Sequence, residues 1–381
     1  MTQRVHFDNG PQGGGLTFAE PSHVIRADTP EEVGPSLREM EQAQAEGHWL
    51  AGAASYELGY SFSNKLRDLM PAIRDVPLLQ FGVFEPPQIG KQIVRGEATL
   101  STPVAAWSFT DYASAFDRVK NYIGAGDIYQ ANLTFPLHCK RTGSLDALYA
   151  ALQAKQSVPH GVLVDLGGPA LLSRSPELFF SIDAKRNIKV RPMKGTAPRG
   201  ATPREDAALV TWLQTSEKNR AENLMIVDLL RNDMSRISEI GSVKVPSLFA
   251  IETYATLHQM TSSIRSTLRE GTSLTDIFSA LFPSGSITGA PKIRAMQIIH
   301  ELESASRGAY CGAIGWIAPN GAMSFNVAIR TLTCFENGGV RLNVGGGVVY
   351  DSDAAGEYEE ALLKGRYAAL TSAKPGEVDI Y

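Results

Sequence analysis

Cys311-Gly312-Ala313-Ile314-Gly315-Trp316-Ile317-Ala318, an Asn320-Gly321 pair, Met323 to Phe335, an Asn337-Gly338-Gly339 triplet and Val340 to Val349 form the stretch that decides the fold. Its three apolar runs are separated by short loops of Asn and Gly, the residues that accept the positive φ angles of tight hairpin turns. This pattern predicts an antiparallel β-meander. Upstream, helical segments separate groups of strands without regular strand–helix alternation, so the chain reads as α+β rather than as a Rossmann-type sheet. On the N-terminal side, Glu31 to Gly47 reads as a helix and Trp49 to Tyr56 as a strand, and Glu85-Pro86-Pro87 and Ser101-Thr102-Pro103 punctuate the chain beyond them. We therefore expect a short N-terminal region, 1–105, and a larger region, 110–375. The second opens on Asp111 as a helix N-cap, with Phe116, Val119 and Ile123 on one apolar face.

Bulk properties narrow the function. With 381 residues and a formal net charge of −4, the chain can bury a sizeable core but carries no basic footprint for nucleic acid or an anionic membrane. The three cysteines, Cys139, Cys311 and Cys334, lie far apart and outside any CxxC, which argues against a disulfide framework and against a zinc site. No run approaches the roughly 20 apolar residues of a membrane span. A cytoplasmic location and a small-molecule substrate are the expectation.

Several groups of residues suit chemistry. Lys194, in Arg191-Pro192-Met193-Lys194-Gly195-Thr196, ends an alternating strand beside a glycine. It is either a solvated strand-end amine or, if desolvated, a neutral nucleophile. Glu357-Tyr358-Glu359-Glu360 opens the last helix, and residues three apart share a face, so Glu357 and Glu360 present two carboxylates together. Such a pair serves a hard cation or merely the helix dipole. A helix from Glu205 to about Met234 offers a further acid, Glu222, at the edge of a stripe of Leu224, Val227 and Leu230. Glu222 with Glu360 matches the few carboxylates that Mg²⁺ takes alongside water and substrate oxygens.

Two backbone cradles for anions are expected. Gly345-Gly346-Gly347 ends a strand just ahead of the acidic helix, and Thr288-Gly289-Ala290-Pro291-Lys292 places Pro291 at a first helical position. Two cradles suggest a dianionic ligand. Arg330 shares a strand face with Ser324, Asn326 and Ala328, leaving room to clamp a carboxylate, unless it makes a cross-strand ion pair. Glu177, after an apolar strand, is a general-acid candidate or a turn carboxylate. The chain has no HExxH, no GxSxG and no GxGxxG after a strand, and its seven histidines are scattered.

Taken together, Gly126-Asp127-Ile128-Tyr129-Gln130-Ala131-Asn132-Leu133-Thr134, Ala221 to Asp233, Gly285 to Lys292 and Gly345 to Glu360 resemble the chorismate-utilising enzymes. That family includes anthranilate synthase component I, aminodeoxychorismate synthase component I, isochorismate synthase and salicylate synthase. The resemblance implies antiparallel β-sheets packed face to face with helices outside, the N-terminal region contributing to the same fold. It implies that Glu222 and Glu360 ligate Mg²⁺ with Glu357 nearby. It also implies that Arg330, Tyr310 and the Gly345–Gly347 backbone bind the enolpyruvyl carboxylate, that Thr288, Gly289 and Lys364 contact substrate, and that Glu177 is the general acid. Where isochorismate and salicylate synthases have a water-activating lysine, this chain has Gln130. Its Pro192-Met193-Lys194-Gly195-Thr196 is similar to the Pro-Ile-Lys-Gly-Thr of aminodeoxychorismate synthases rather than to the Pro-Ile-Ala-Gly-Thr of anthranilate synthases. Conversion of chorismate to 4-amino-4-deoxychorismate, on the way to 4-aminobenzoate and folate, is thereby implied, with anthranilate formation as the alternative. Ammonia is expected from a separate glutamine amidotransferase subunit. Gln259 stands where several relatives have a histidine, and neither it nor His258 is assigned a catalytic role.

Overall fold

The computed structural model describes residues 2–11, 13–254 and 257–370; positions 371–375 of the second expected region lie outside them. Among the described residues the strands form two antiparallel sheets, one of eleven strands and one of ten. Ala313–Ile317 pairs with Met323–Val327 across the Asn320-Gly321 turn, with Ala313 opposite Val327 and Ile317 opposite Met323. Thr331–Cys334 pairs in turn with Gly339–Val348. The first hairpin belongs to the ten-stranded sheet and the second to the eleven-stranded one. The expected single run from Met323 to Phe335 therefore breaks, and the chain crosses between sheets at 328–330. Both halves are buried almost throughout, and no Gly, Pro or Asn turn signal stands at 328–330, so the corner is concealed in the sequence.

The sheets pack face to face. Val5, Phe18, Val164 and Leu171 of the larger sheet meet Ala51, Phe84, Ile314 and Trp316 of the smaller in one buried cluster. Helices cover the outer faces. Phe109–Gly124 and Leu145–Lys155 bury Tyr112, Phe116, Leu148 and Leu152 against Leu133, Phe135 and Leu137. On the other side Pro30–Ala45, Glu217–Ser235 and Leu274–Leu281 bury Leu37, Met40, Ile226, Leu230 and Phe278 against Phe81, Phe180 and Phe325. Each such side chain contributes about 1.5–3 kcal/mol of burial free energy. Strands from the first hundred residues sit inside both sheets: Arg4–Phe7 pairs with His160–Asp165, and Trp49–Ala54 pairs with Ala313–Ile317.

Helix starts differ from expectation in two places. Ser108, not Asp111, caps Phe109–Gly124; its hydroxyl accepts from the Asp111 N–H while the Asp111 carboxylate accepts from the Ser108 N–H, a reciprocal capping box. The helix expected from Glu205 to Met234 is two, Pro203–Thr215 and Glu217–Ser235, because Ser216 leaves helical geometry and caps the second through the Asn219 N–H. Among the described residues no helix is long and apolar enough to cross a membrane.

Candidate active site

Strand Asn187–Val190 stops before Pro192, and pairing resumes in Met193–Pro198, so Lys194 does not end the alternating strand. Met193 lies opposite Thr261 and Thr196 opposite Gln259, which sets Lys194 and Gly195 together against Met260 as a β-bulge. A bulge re-aims a side chain out of strand alternation. Gly195 has φ +88, a conformation open to glycine, and Gln259 pins the bulge by donating from Nε2 to the Gly195 carbonyl at 2.8 Å. The bulge delivers the amine to Gly347: a Cβ placed on that glycine would lie 3.3 Å from Lys194 Nζ and 2.7 Å from Gln130 Nε2. Gln130 is buried, and neither its amide nitrogen nor its oxygen has a partner. Burial lowers the pKa of Lys194, with Glu222, Lys364, Glu177 and Glu357 the charges that act on it.

Glu177 is buried beyond the end of strand Ala170–Ser175, and Ser286 donates its hydroxyl to Oε1 at 2.8 Å. Burial pushes its carboxyl up to about 7, against the pull of Ser286 and Lys194. Glu177 stands in the two-residue link to strand Leu178–Ile182, yet it is buried rather than solvated. Ser286 was not legible as a partner, since 109 residues separate the two.

The last helix, Ala354–Gly365, packs against strand Gly339–Val348, which carries Gly346 and Gly347. Glu357 takes a hydrogen bond from Ser352 at 2.7 Å, and burial raises its pKa. A Cβ on Gly346 would lie 2.8 Å from Glu357 Oε2 and 3.5 Å from Lys364 Nζ. Lys364 bonds Glu360 at 2.8 Å and donates to the Gly345 carbonyl at 3.1 Å. Glu222 is half-buried one residue before the buried Asn223, whereas Leu224, expected in the stripe, is exposed. Among the described residues no group of three or more His, Cys, Asp or Glu is gathered closely enough to hold an ion. The carboxylates are instead balanced by Lys194, Lys218 and Lys364. All-oxygen donors beside bare glycine backbone nevertheless fit a hard cation that keeps several waters and takes few carboxylates.

The triple glycine lies within Gly339–Val348, not at its end, with Gly345 opposite Thr134 and Gly347 opposite Asn132. Gly345 is required by close approach, since a Cβ there would meet the Leu133 carbonyl oxygen at 2.3 Å. Gly345→Ala is accordingly expected to destabilise the fold by about 1–3 kcal/mol, the usual range for overpacking. A urea midpoint unchanged at constant slope would contradict this.

The second cradle does lie at a helix start, one residue out of the expected frame. Pro291 is the cap of Lys292–Leu302 rather than its first residue, and Lys292 is committed to Asp233 at 2.7 Å and to the Leu281 carbonyl. Thr288 is fully buried with its hydroxyl donated to the Ser284 carbonyl, and Gly289 pairs with Ala131 of the Gln130–Thr142 strand. Arg330 occupies the corner between sheets with φ +50, not a face shared with Ser324, Asn326 and Ala328. Among the described residues its guanidinium has no ion-pair partner. Burial lowers its pKa and the one group opposing this is Tyr367, whose own hydroxyl is buried and unpartnered. A half-buried guanidinium without a counter-ion suits an anionic ligand. Tyr310 is buried on the neighbouring turn, whose Cys311 N–H donates to the Ala328 carbonyl at 3.0 Å.

Lys194 and Gln130 thus meet at Gly347, and Glu357 and Lys364 at Gly346, with an amine of lowered pKa and the raised carboxyl of Glu177 acting on each other. A family profile described as chorismate binding enzyme matches residues 2–369. Aminodeoxychorismate synthase of Streptomyces griseus is 45% identical over 267 residues, 70% of this chain and 37% of that protein. Aminodeoxychorismate synthase component 1 of Escherichia coli (strain K12) is 44% identical over 253 residues, 66% of this chain and 55% of that protein. Anthranilate synthase component 1 1 of Haloarcula marismortui is 41% identical over 277 residues, 73% of this chain and 55% of that protein. The chain therefore spans little more than half the length of these relatives, or less. Anthranilate synthase component I from Streptococcus pneumoniae TIGR4 superposes with a TM-score of 0.77 at 23% identity, covering 96% of this chain and 90% of that one. The menaquinone-specific isochorismate synthase from Escherichia coli gives 0.75 at 16% identity, covering 96% and 87%. These two likenesses show the fold.

Proposed function

Because this chain belongs to the chorismate binding enzymes, we propose that it converts chorismate and ammonia to 4-amino-4-deoxychorismate, a reading supported by its similarity to proteins named aminodeoxychorismate synthase. The observation that carries this reading is Lys194 on its bulge, an amine of lowered pKa aimed at Gly347 and Gln130 with Glu177 acting on it. Titratable groups whose environments displace their pKa values in this way suit acid–base assignments. Chorismate carries two carboxylates. One would meet Arg330, Tyr310 and the backbone of Gly345–Gly347, with Thr288, Gly289 and Lys364 as further contacts.

The neutral Lys194 amine then attacks C2 of the ring. Its C–N bond forms as both conjugated ring double bonds shift toward C4 and the C4–O bond breaks, and Glu177 gives its proton to the departing hydroxyl, which leaves as water. Ammonia attacks C4, both double bonds shift back, the C2–N bond breaks to restore the Lys194 amine, and a proton of the new ammonium group returns to Glu177. Gln130 lacks the basic amine that would prepare a water for the same attack, which favours nitrogen as the incoming atom. Ammonia would be supplied by a glutamine amidotransferase subunit.

Glu222 and Glu360 would hold Mg²⁺ with Glu357 beside them, and the ion would supply positive charge for a substrate carboxylate. Glu222→Ala and Glu360→Ala are expected to lose Mg²⁺-dependent chorismate binding in calorimetry together with turnover. Wild-type metal dependence in both variants would remove them as ligands.

Formation of anthranilate is the second reading, favoured by the 41% identity to the Haloarcula protein and opposed by Lys194. Mass spectrometry after incubation with chorismate, Mg²⁺ and ammonium separates the two. A product of aminodeoxychorismate mass supports the proposal; anthranilate without it overturns it.

A further inference from the structure

Glu57 lies in the first hundred residues, on the short helical turn Tyr56–Phe62, and is 1% exposed. Its carboxylate accepts from two backbone N–H groups far along the chain, Arg307 at 2.7 Å and Gly308 at 3.0 Å. Those residues begin the turn that carries Tyr310. The turn holds unusual backbone, with Gly308 at φ +60 and Cys311 at φ +63, and for a side-chain-bearing residue such a conformation persists only where its surroundings enforce it.

Arg307 extends the anchor. Its guanidinium lies 4.5 Å from the Tyr56 ring centre and donates to the Ile287 and Asn132 carbonyls and to both oxygens of Glu303. Glu303 in turn accepts from the N–H and hydroxyl of Thr134. The turn's other end is fixed to the Arg330 corner through Cys311 and Ala328. One buried carboxylate thus ties the turn to its place among three segments: Gln130–Thr134, Ser286–Gly289 and the 328–330 corner. Each of those segments carries residues assigned above to the site.

We infer that Glu57 is a positioning residue for the active site: by anchoring the Arg307–Cys311 turn it holds Tyr310 where the substrate carboxylate binds. It touches no reacting atom. The inference rests on the reading of Tyr310 as a substrate contact, and the test separates the two. Hydrogen exchange of the peptide spanning 304–312 reads the anchor without substrate. Glu57→Gln, which keeps the side chain's shape but replaces one accepting oxygen by an NH2 group that cannot accept, should speed exchange in that peptide while the Ala354–Gly365 helix stays protected. Glu57→Asp, too short to reach both N–H groups, should do the same.

With chorismate, Glu57→Gln is expected to raise KM by about 10-fold while kcat stays within about threefold, the pattern of lost ground-state binding. In a Tyr310→Phe background the same substitution should add less than about twofold, because residues acting through one contact are non-additive. Faster exchange with KM unchanged overturns the link to substrate but keeps the anchor. Unchanged exchange in both folded variants overturns the anchor itself. A full KM effect in the Tyr310→Phe background overturns the route through Tyr310. If the wild-type chain fails to turn chorismate over, the functional reading falls while exchange still decides whether Glu57 holds the turn.

Discussion

Lys194→Ala is expected to lose ammonia-dependent turnover by at least about 10³-fold in kcat, the scale on which removal of a nucleophile acts when the rest of a site survives. Substrate binding should survive with it. The amine sits on a bulge whose geometry depends on Gly195 and Gln259, not on the lysine side chain, so the glycine strand, Arg330 and the acidic residues keep their places in the variant. Calorimetry should therefore give a chorismate affinity in Mg²⁺ within about threefold of wild type, because binding and bond formation draw on different groups. Lys194→Arg should fare no better than alanine, since a guanidinium stays protonated at any working pH. Near-normal synthesis of aminodeoxychorismate by Lys194→Ala would end the nucleophile assignment. Loss of binding in parallel with rate would instead make Lys194 a cationic substrate contact.

How much of the molecule is legible in its sequence depends on the range of the interaction. The meander was legible because its turns are local: Asn320-Gly321 and Asn337-Gly338-Gly339 announce themselves within a few residues. The crossing at 328–330 was not, because both sides of the corner are buried and no Gly, Pro or Asn turn signal marks it, and the consequence was to place Arg330 on the wrong face. The same holds for the site. Glu357 and Glu360 are related by helical spacing and Lys194 is marked by its glycine, so motif and period found them. Ser286 beside Glu177, Gln259 on the bulge and Glu57 beneath the Tyr310 turn are joined across 109, 64 and 250 residues, and no periodicity reports such pairs. The bulge itself was hidden because Pro192 and Gly195 read equally well as the end of a strand.

Glu177→Gln is the second large effect. A glutamine keeps the shape and can still accept from Ser286, but it has no proton to give to the departing hydroxyl, and loss of a general acid costs about 10²–10⁴ in rate. The pH dependence follows from the opposite requirements of the two groups. Glu177 must be protonated, so kcat/KM of the wild type should fall as pH rises past about 7, whereas Lys194 must be neutral, which gives the acid limb. In Glu177→Gln the alkaline limb near 7 should vanish along with the rate; a limb at the same pH would assign it to another group. Stability offers a readout without substrate. The folded pKa of Glu177, about 7, is raised above its ordinary 4.5 by burial. The protonated carboxyl therefore contributes stability that is fully present below about 4.5 and lost as pH rises through about 7. A displacement of that size corresponds to roughly 3 kcal/mol. Urea titrations from pH 4.5 to 7.5 should show Glu177→Gln losing less stability across this window than wild type. The buried Glu57, raised in the same direction, is present in both proteins and cancels in the comparison. Parallel slopes in the two proteins would mean that Glu177 titrates as a solvated carboxylate, and its assignment as the proton donor would fall with that result.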